Sequence, residues 1–165
     1  MQHIKVLSVL ICLFIATVVN AQTVGYTYRT LAAEGCNMKY SVSKQGDSYS
    51  IVATVRSDRM VFLGNPTMKI RTFNDTLLEL PGVVIGGGSE SAGIVSGNIV
   101  IPVTEIKSTA QFSITPEQFE ILKEGVAKIR LSMTPMNHER TFKKDKIGKK
   151  LYQFFQKEKT KDDNF

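Results

Sequence analysis

Apolar and polar residues alternate with a period of two through most of this chain, and that alternation commits it to extended structure. Val24, Tyr26, Tyr28 and Thr30 hold every second position, as do Met38, Tyr40 and Val42, and then Tyr49, Ile51, Ala53 and Val55. Successive side chains of a strand point to opposite faces, so each run lays one side on a core and the other in water. Gln45-Gly46-Asp47 separates the last two runs and reads as a tight turn. Residues 37–44 and 48–56 are therefore expected to form a β-hairpin.

A second hairpin is expected at 67–73 and 76–80. Its joint, Asn74-Asp75, holds two residues that tolerate the positive φ of a two-residue turn. Pro81-Gly82 reads as the stop of that strand. Gly86-Gly87-Gly88-Ser89-Glu90-Ser91-Ala92-Gly93 then reads as a flexible connection between extended segments at 83–85 and 94–104. Pro102 marks an end, a bulge or an edge in the later segment. Alternation resumes at 109–114, with Ala110, Phe112 and Ile114 on one side.

Helical signals come late. Thr115-Pro116-Glu117-Gln118 combines an N-cap threonine, a first-turn proline and the glutamine of a capping box. Phe119 and Leu122 share a face and Gly125 suits a left-handed cap, which predicts a two-turn helix over 116–124. A strand follows, with Ala127, Ile129, Leu131 and Met133 inward and Lys128 and Arg130 outward. Beyond Met136 the pattern turns helical. Ile147, Leu151, Phe154 and Phe155 recur at helical spacing opposite Lys146, Lys149, Lys150 and Lys157, so residues 145–157 should dock as an amphipathic helix. Residues 159–165 show no apolar face and read as a frayed tail. The fold class expected is mainly β with an α component: an antiparallel sheet or sandwich of about eight strands, one short helix and the C-terminal amphipathic helix.

The order of a strand, the capped T-P-E-Q-F helix, the G-V-A-K-I-R-L strand and F-K-K-D-K-I-G-K-K-L resembles small exported proteins of Bacteroidetes-type bacteria, from families of unknown function. The resemblance covers roughly residues 67–155. It implies export and a β-rich fold, and it brings no catalytic residues with it.

The first residues have the three parts of a secretory signal. Lys5 is the positive end, 6–19 is uncharged and apolar, and Val19-Asn20-Ala21 offers small residues before a cut. Fourteen apolar residues fall short of the roughly 20 that span a bilayer. Cys12 does not suit lipid attachment, because Ile11 stands before it and it lies inside the apolar run. The expected organisation is a signal peptide at 1–21, a single β-rich domain at 22–158 and the tail. Removing 21 of 165 residues leaves one cysteine, Cys36, so no internal disulfide can form. No transmembrane segment is expected in the mature chain, and the destination is periplasmic or extracellular.

Charge narrows the partners. The formal net charge is +6, yet residues 22–136 hold eleven Lys and Arg against ten Asp and Glu, while 137–165 hold nine against five. A near-neutral body lacks the clustered positive surface of a nucleic-acid binder. A protein, a glycan or the envelope surface remains as the partner class, the last through the lysine-rich helix.

Known chemistry finds little to hold. Ser41-Val42-Ser43-Lys44 matches an S-x-x-K string, but in a strand its serine and lysine point apart. Cys36 and His138 form the one cysteine–histidine pair of the mature chain. A dyad requires them within hydrogen-bond reach, whereas an isolated cysteine in a β-rich context reads as buried and inert. One histidine and one cysteine do not make a zinc site, and Asp162-Asp163 read as solvated charge. The glycine-rich 86–93 segment lacks the Gly-Lys-Ser/Thr ending of a phosphate loop. Asn74-Asp75-Thr76 matches a glycosylation pattern that an exported bacterial chain usually ignores. No catalytic, cofactor-binding or metal-binding residue is assigned, and no cofactor is expected.

The function class expected is a non-catalytic binding or interaction protein of the bacterial periplasm or cell surface. The alternatives are an envelope-associated protein held by its basic helix, and a small exported hydrolase. A pocket joining two or more carboxylates to Tyr26, Tyr28 or Arg56 would favour the hydrolase. The leader generates a direct test: N-terminal sequencing of protein recovered from the envelope or medium should begin at Gln22. An intact Met1 there would exclude cleavage.

Overall fold

The computed structural model describes residues 22–29, 35–96 and 99–162, with the backbone alone at 92–96, 100–103, 161 and 162. The expected leader lies outside the described residues, and so does Thr30. Among the described residues there are eight strands: β1 (Val24–Tyr28), β2 (Cys36–Gln45), β3 (Ser48–Ser57), β4 (Thr67–Thr72), β5 (Leu77–Ser96), β6 (Ile99–Ile114), β7 (Val126–Leu131) and β8 (His138–Thr141). Two helices join them, α1 (Pro116–Leu122) and α2 (Gly148–Asp162). The strands make one curled antiparallel sheet in the order β1-β2-β3-β6-β5-β4-β7-β8.

The first hairpin forms as its alternation requires. Gln45 pairs with Ser48, and Gly46 turns the chain with φ +57°. Its inward row, with Met38 and Tyr40 on β2 and Ile51, Ala53 and Val55 on β3, is fully buried. In the second turn Asp75 takes the left-handed conformation, and the amide of Thr72 donates to the carbonyl of Thr76.

Pro81-Gly82 does not stop the strand. Residues Leu77 to Pro81 of β5 pair with β4, and from Gly82 onward the same strand pairs with β6. The dipeptide is a change of partner, where the chain passes from one half of the curl to the other. The glycine is required by packing, because a Cβ on Gly82 would lie 2.5 Å from the Phe112 ring and 2.9 Å from the carbonyl oxygen of Pro66.

The glycine-rich segment is likewise strand rather than a flexible connection. Gly86 to Ser96 pair with Thr109 to Ile99 across β6, after a bulge between Val84 and Gly86. The β3–β6 ladder ends at Ser57 and Ile106. Beyond it, β5 and β6 run on as a two-stranded ribbon for seven residues each, Glu90 to Ser96 against Glu105 to Ile99, roughly 24 Å. Pro102 sits in this reach, where β6 no longer pairs with β3 and has an open edge among the described residues, the place in a sheet that tolerates a missing N–H.

Two further corrections follow from pairing. A bulge between Arg71 and Thr72 shifts the β4–β7 register, so Val126 is fully buried and Ala127 only partly. Residues 138–141 are a short strand, β8, in a stretch whose pattern reads as helical. Four residues with a single buried member, His138, are too few to display alternation.

Helix α1 has the expected cap. The amide of Gln118 donates to the Thr115 hydroxyl, and the Thr115 amide donates to the Gln118 side chain. Helix α2 docks on β2 and α1, with Phe155 stacked on Phe119 at 4.4 Å between ring centres. Ile147, Leu151 and Phe155 are buried, while Phe154 is half-buried at the margin. The helix continues to Asp162, through residues whose composition reads as tail.

Asp145 ties α2 to the sheet. Its carboxylate accepts from the amides of Ile147, Gly148 and Lys149 at the helix start, and from Val126 at the start of β7. Gly148 sits so close to this junction that a Cβ would fall 2.7 Å from the Val126 nitrogen. Burial pushes the Asp145 carboxyl up, but the four amide donors outweigh it and hold its pKa below the ordinary value. Asp145→Ala should therefore lower stability by about 1–2 kcal/mol at neutral pH, read from urea melts. A depressed folded pKa gives stability that is complete above about pH 4 and lost as pH falls through the lower folded value. The gap between the two proteins should close in acid, and a gap that persists there would refute the cap.

Candidate functional site

Three places gather polar chemistry. The first is interior, where the two ends of the curl meet. Tyr26 of β1 shares hydroxyl hydrogen bonds with Tyr40 at 2.9 Å and with Nε2 of His138 at 2.8 Å. The ring of His138 lies 3.9 Å from that of Tyr28, and Phe142 meets the edge of Tyr26 at 5.3 Å. The ends of the sheet are thus joined by side chains.

Cys36 and His138 converge on Tyr28 from two sides. The histidine stacks on its ring, and the fully buried thiol lies beside its hydroxyl, which has no hydrogen-bond partner of good geometry among the described residues. Burial pushes the thiol pKa up, aided by the Asp58 carboxylate, against hydrogen bonds from Tyr28 and Ser57. Burial also lowers His138 to about 4, with Arg140 adding to it and Glu139 opposing. Tyr26, Tyr28 and Tyr40 are all raised by burial. Every group here is held neutral, which suits a sealed core rather than a thiolate nucleophile with an accessible base.

The second place is the outer face of β4, β7 and β8, a groove of about 250 Å³ lined by Lys69, Arg71, Leu77, Lys128, Arg130 and Glu139. The register sets Lys69 against Arg130 and Arg71 against Lys128, which by itself is repulsive. Each cation has its carboxylate, however. Glu139 takes Lys128 and Arg130, both at 2.6 Å, Glu79 takes Lys69 at 2.9 Å, and Asp75 takes Arg71 at 2.6 Å. Four cations share three carboxylates, so the face is an ion-pair lattice one negative charge short of balance, with every cation already engaged.

The third place is the base of the ribbon, a groove of about 230 Å³ lined by Arg56, Gly86, Gly87, Gly88, Ser89, Glu90, Glu105, Lys107 and Thr109. Glu90 and Glu105 stand directly opposite each other, and Arg56 reaches Glu105 at 3.5 Å. The floor is backbone, because three consecutive glycines carry no side chains. Among the described residues nothing pairs with the outer edge of β5 beyond Pro81. Val83, Val84 and Ile85 are exposed along that stretch.

The remaining sequence candidates are dispersed. Ser41 and Lys44 lie on β2, and the Lys44 ammonium sits over the Tyr49 ring at 5.4 Å. Asn74 bonds within its own turn, and Asp163 lies outside the described residues. Among the described residues no group of three or more His, Cys, Asp or Glu is placed to hold a metal, and no helix is long and apolar enough to cross a membrane. Glu90, Glu105 and the unpaired edge escaped sequence reading, because a glycine run reads as a loop.

The buried histidine generates a pH test. Its pKa falls from 6.5 in the unfolded chain to about 4 in the fold, so below pH 6.5 the unfolded state binds a proton that the folded state refuses. Stability should fall as pH drops through that window, by about 3 kcal/mol from this group when complete. In urea melts at a series of pH values, His138→Gln should flatten that slope. A slope equal to that of the parent would show that His138 is not the group responsible.

Comparison of the chain with protein-family models, characterised proteins and solved structures finds no match in any of the three.

Proposed function

We propose that this chain is an exported, non-catalytic interaction protein of the periplasm or cell surface, and that it receives partners by strand pairing along the outer edge of β5. The observation that carries the reading is the outer edge of β5 from Gly82, which nothing pairs among the described residues, with Val83, Val84 and Ile85 exposed along it. An edge presents a row of unused N–H and C=O groups, and folds commonly guard such rows with lysine, proline or a covering element. From Gly82 to Ser89 this edge carries no charged residue. Strand addition takes its affinity from main-chain hydrogen bonds and its selectivity from side chains beside them.

Glu90 and Glu105 opposite each other beside Arg56 favour a second reading, a hydrolase using that carboxylate pair. It is the weaker one. A general acid is kept protonated at neutral pH by an apolar enclosure, and both carboxylates here stand on an open two-stranded ribbon.

A photo-crosslinking residue placed at Val83 in cells making the protein tests the leading reading. Irradiation should give adducts with polypeptide, and the same residue at Leu63, exposed but away from the edge, should not. No polypeptide adduct at Val83 would overturn the reading.

A further inference from the structure

Positive charge gathers at one end of the molecule. Residues 143–150 hold five lysines, Lys143, Lys144, Lys146, Lys149 and Lys150, against one acid, Asp145. All five are exposed, and none joins an ion pair among the described residues. Asp145 offsets one charge at most, and both of its oxygens are already taken by backbone amides. Glu124 is the other exposed acid here, next to Gly125 in the chain. On the outer face of β4, β7 and β8, by contrast, every cation has a carboxylate. The lysines also sit on a fixed frame, because the Asp145 bonds tie their loop to the starts of β7 and α2. Apolar surface lies at the same place. Phe73 and Leu77 flank the β4–β5 turn, 47% and 55% exposed. The Phe73 amide donates to the carbonyl of Gly125 at 3.2 Å. A Cβ on Gly125 would lie 3.3 Å from the Phe73 ring and 2.9 Å from the Cβ of Asp145. The ring and the centre of the lysine cluster therefore border one glycine.

We infer that this end of the molecule is a seat on an anionic phospholipid surface, with the five lysines on headgroup phosphates and Phe73 entering the interface. Two features select that occupant. Charge selects an anion: clusters of about four to eight cations hold proteins to acidic lipid, each lysine contributing about fivefold to partitioning. The exposed ring then selects lipid among polyanions, because a soluble polyphosphate or acidic polysaccharide offers it no apolar layer to enter. The seat shares no residue with the open stretch of β5. It goes beyond the strand-pairing reading and does not rest on it.

Vesicle partitioning of the full chain tests both the surface and its location. The protein should partition at least about a hundredfold more onto mixed phosphatidylglycerol–phosphatidylcholine vesicles than onto phosphatidylcholine alone. Anchoring by the apolar residues 6–19 would be common to parent and variants, so the comparison among them is unaffected. Lys143→Gln combined with Lys144→Gln should lower partitioning onto the anionic vesicles by about 25-fold. Lys39→Gln combined with Lys107→Gln removes the same charge from exposed lysines elsewhere, and screening should hold its loss below about threefold. Phe73→Ala should lower partitioning by about tenfold and leave its dependence on salt concentration unchanged, since no charge is lost. Urea melts check that each variant is folded, and the exposed lysine pair keeps the test open if Phe73→Ala fails to fold. No preference for the anionic vesicles, an equal loss from the two lysine pairs, or full binding by folded Phe73→Ala would overturn the inference.

Discussion

The change of partner in the middle of β5 organises this molecule. One strand serves β4 through its first five residues and β6 through the rest. The two halves of the sheet therefore share a strand instead of merely facing each other, and the sheet must curl. Curling brings the inward rows of both halves onto one core, where Phe112 of β6 and Leu80 of β5 are buried with Ile70 of β4 and Ile129 of β7. The turn of direction is possible because Pro81 needs no N–H partner and Gly82 leaves room for the Phe112 ring. The same geometry frees the edge of β5 once β4 has left it. Core and open edge are two consequences of one bend.

The curl leaves its ends to be joined by other means. Hydrogen bonding does not run from β1 to β8 among the described residues, and an aromatic and polar cluster takes its place. Tyr26 fills both roles, since its ring packs on Phe142 while its hydroxyl joins Tyr40 to His138. Neutrality makes this tolerable, because a buried ion without a partner costs far more than a buried hydroxyl that has one. The helical end is closed differently. Asp145 draws α2 onto β7 through backbone amides, and the Phe119–Phe155 stack fixes the angle at which the helix lies.

What was legible in the sequence is what depends on local pattern. The hairpin of β2 and β3, the capping box of α1, the inward row of β6 and the buried face of α2 follow from spacing alone, and the structure keeps them except for Phe154, which stands half-buried at the margin of that face. Features that depend on a distant partner were not legible. A Pro-Gly pair reads as an ending in either case, and whether another strand lies on its far side is not written locally. The glycine run reads as a loop because strand propensity counts its side chains, while the long ladder to β6 that holds it extended lies in tertiary pairing. β8 was missed because four residues are too short to show a period. Lys159 to Asp162 carry no apolar face, and they stay helical by continuation from the docked turns before them. The Glu90–Glu105 pair is a product of register, which one extended bulge is enough to reset.

The ribbon poses the remaining energetic question. A two-stranded segment in water is marginal, and each glycine in the three-stranded stretch that leads into it weakens its strand by about 0.5–1 kcal/mol relative to alanine. Three in a row amount to about 2 kcal/mol, a sizeable fraction of the roughly 5–15 kcal/mol that holds a domain together. Opposed glutamates at the base add repulsion that Arg56 only partly offsets at 3.5 Å. None of this is needed for the core, which is complete without the ribbon's outer reach. A strand added at the outer edge of β5 would offset the first deficit, because it would pair backbone groups that no strand pairs there among the described residues. The open backbone that leaves this stretch weak is also what a partner strand would need, which is why the proposed function is placed there rather than in the buried tyrosine cluster.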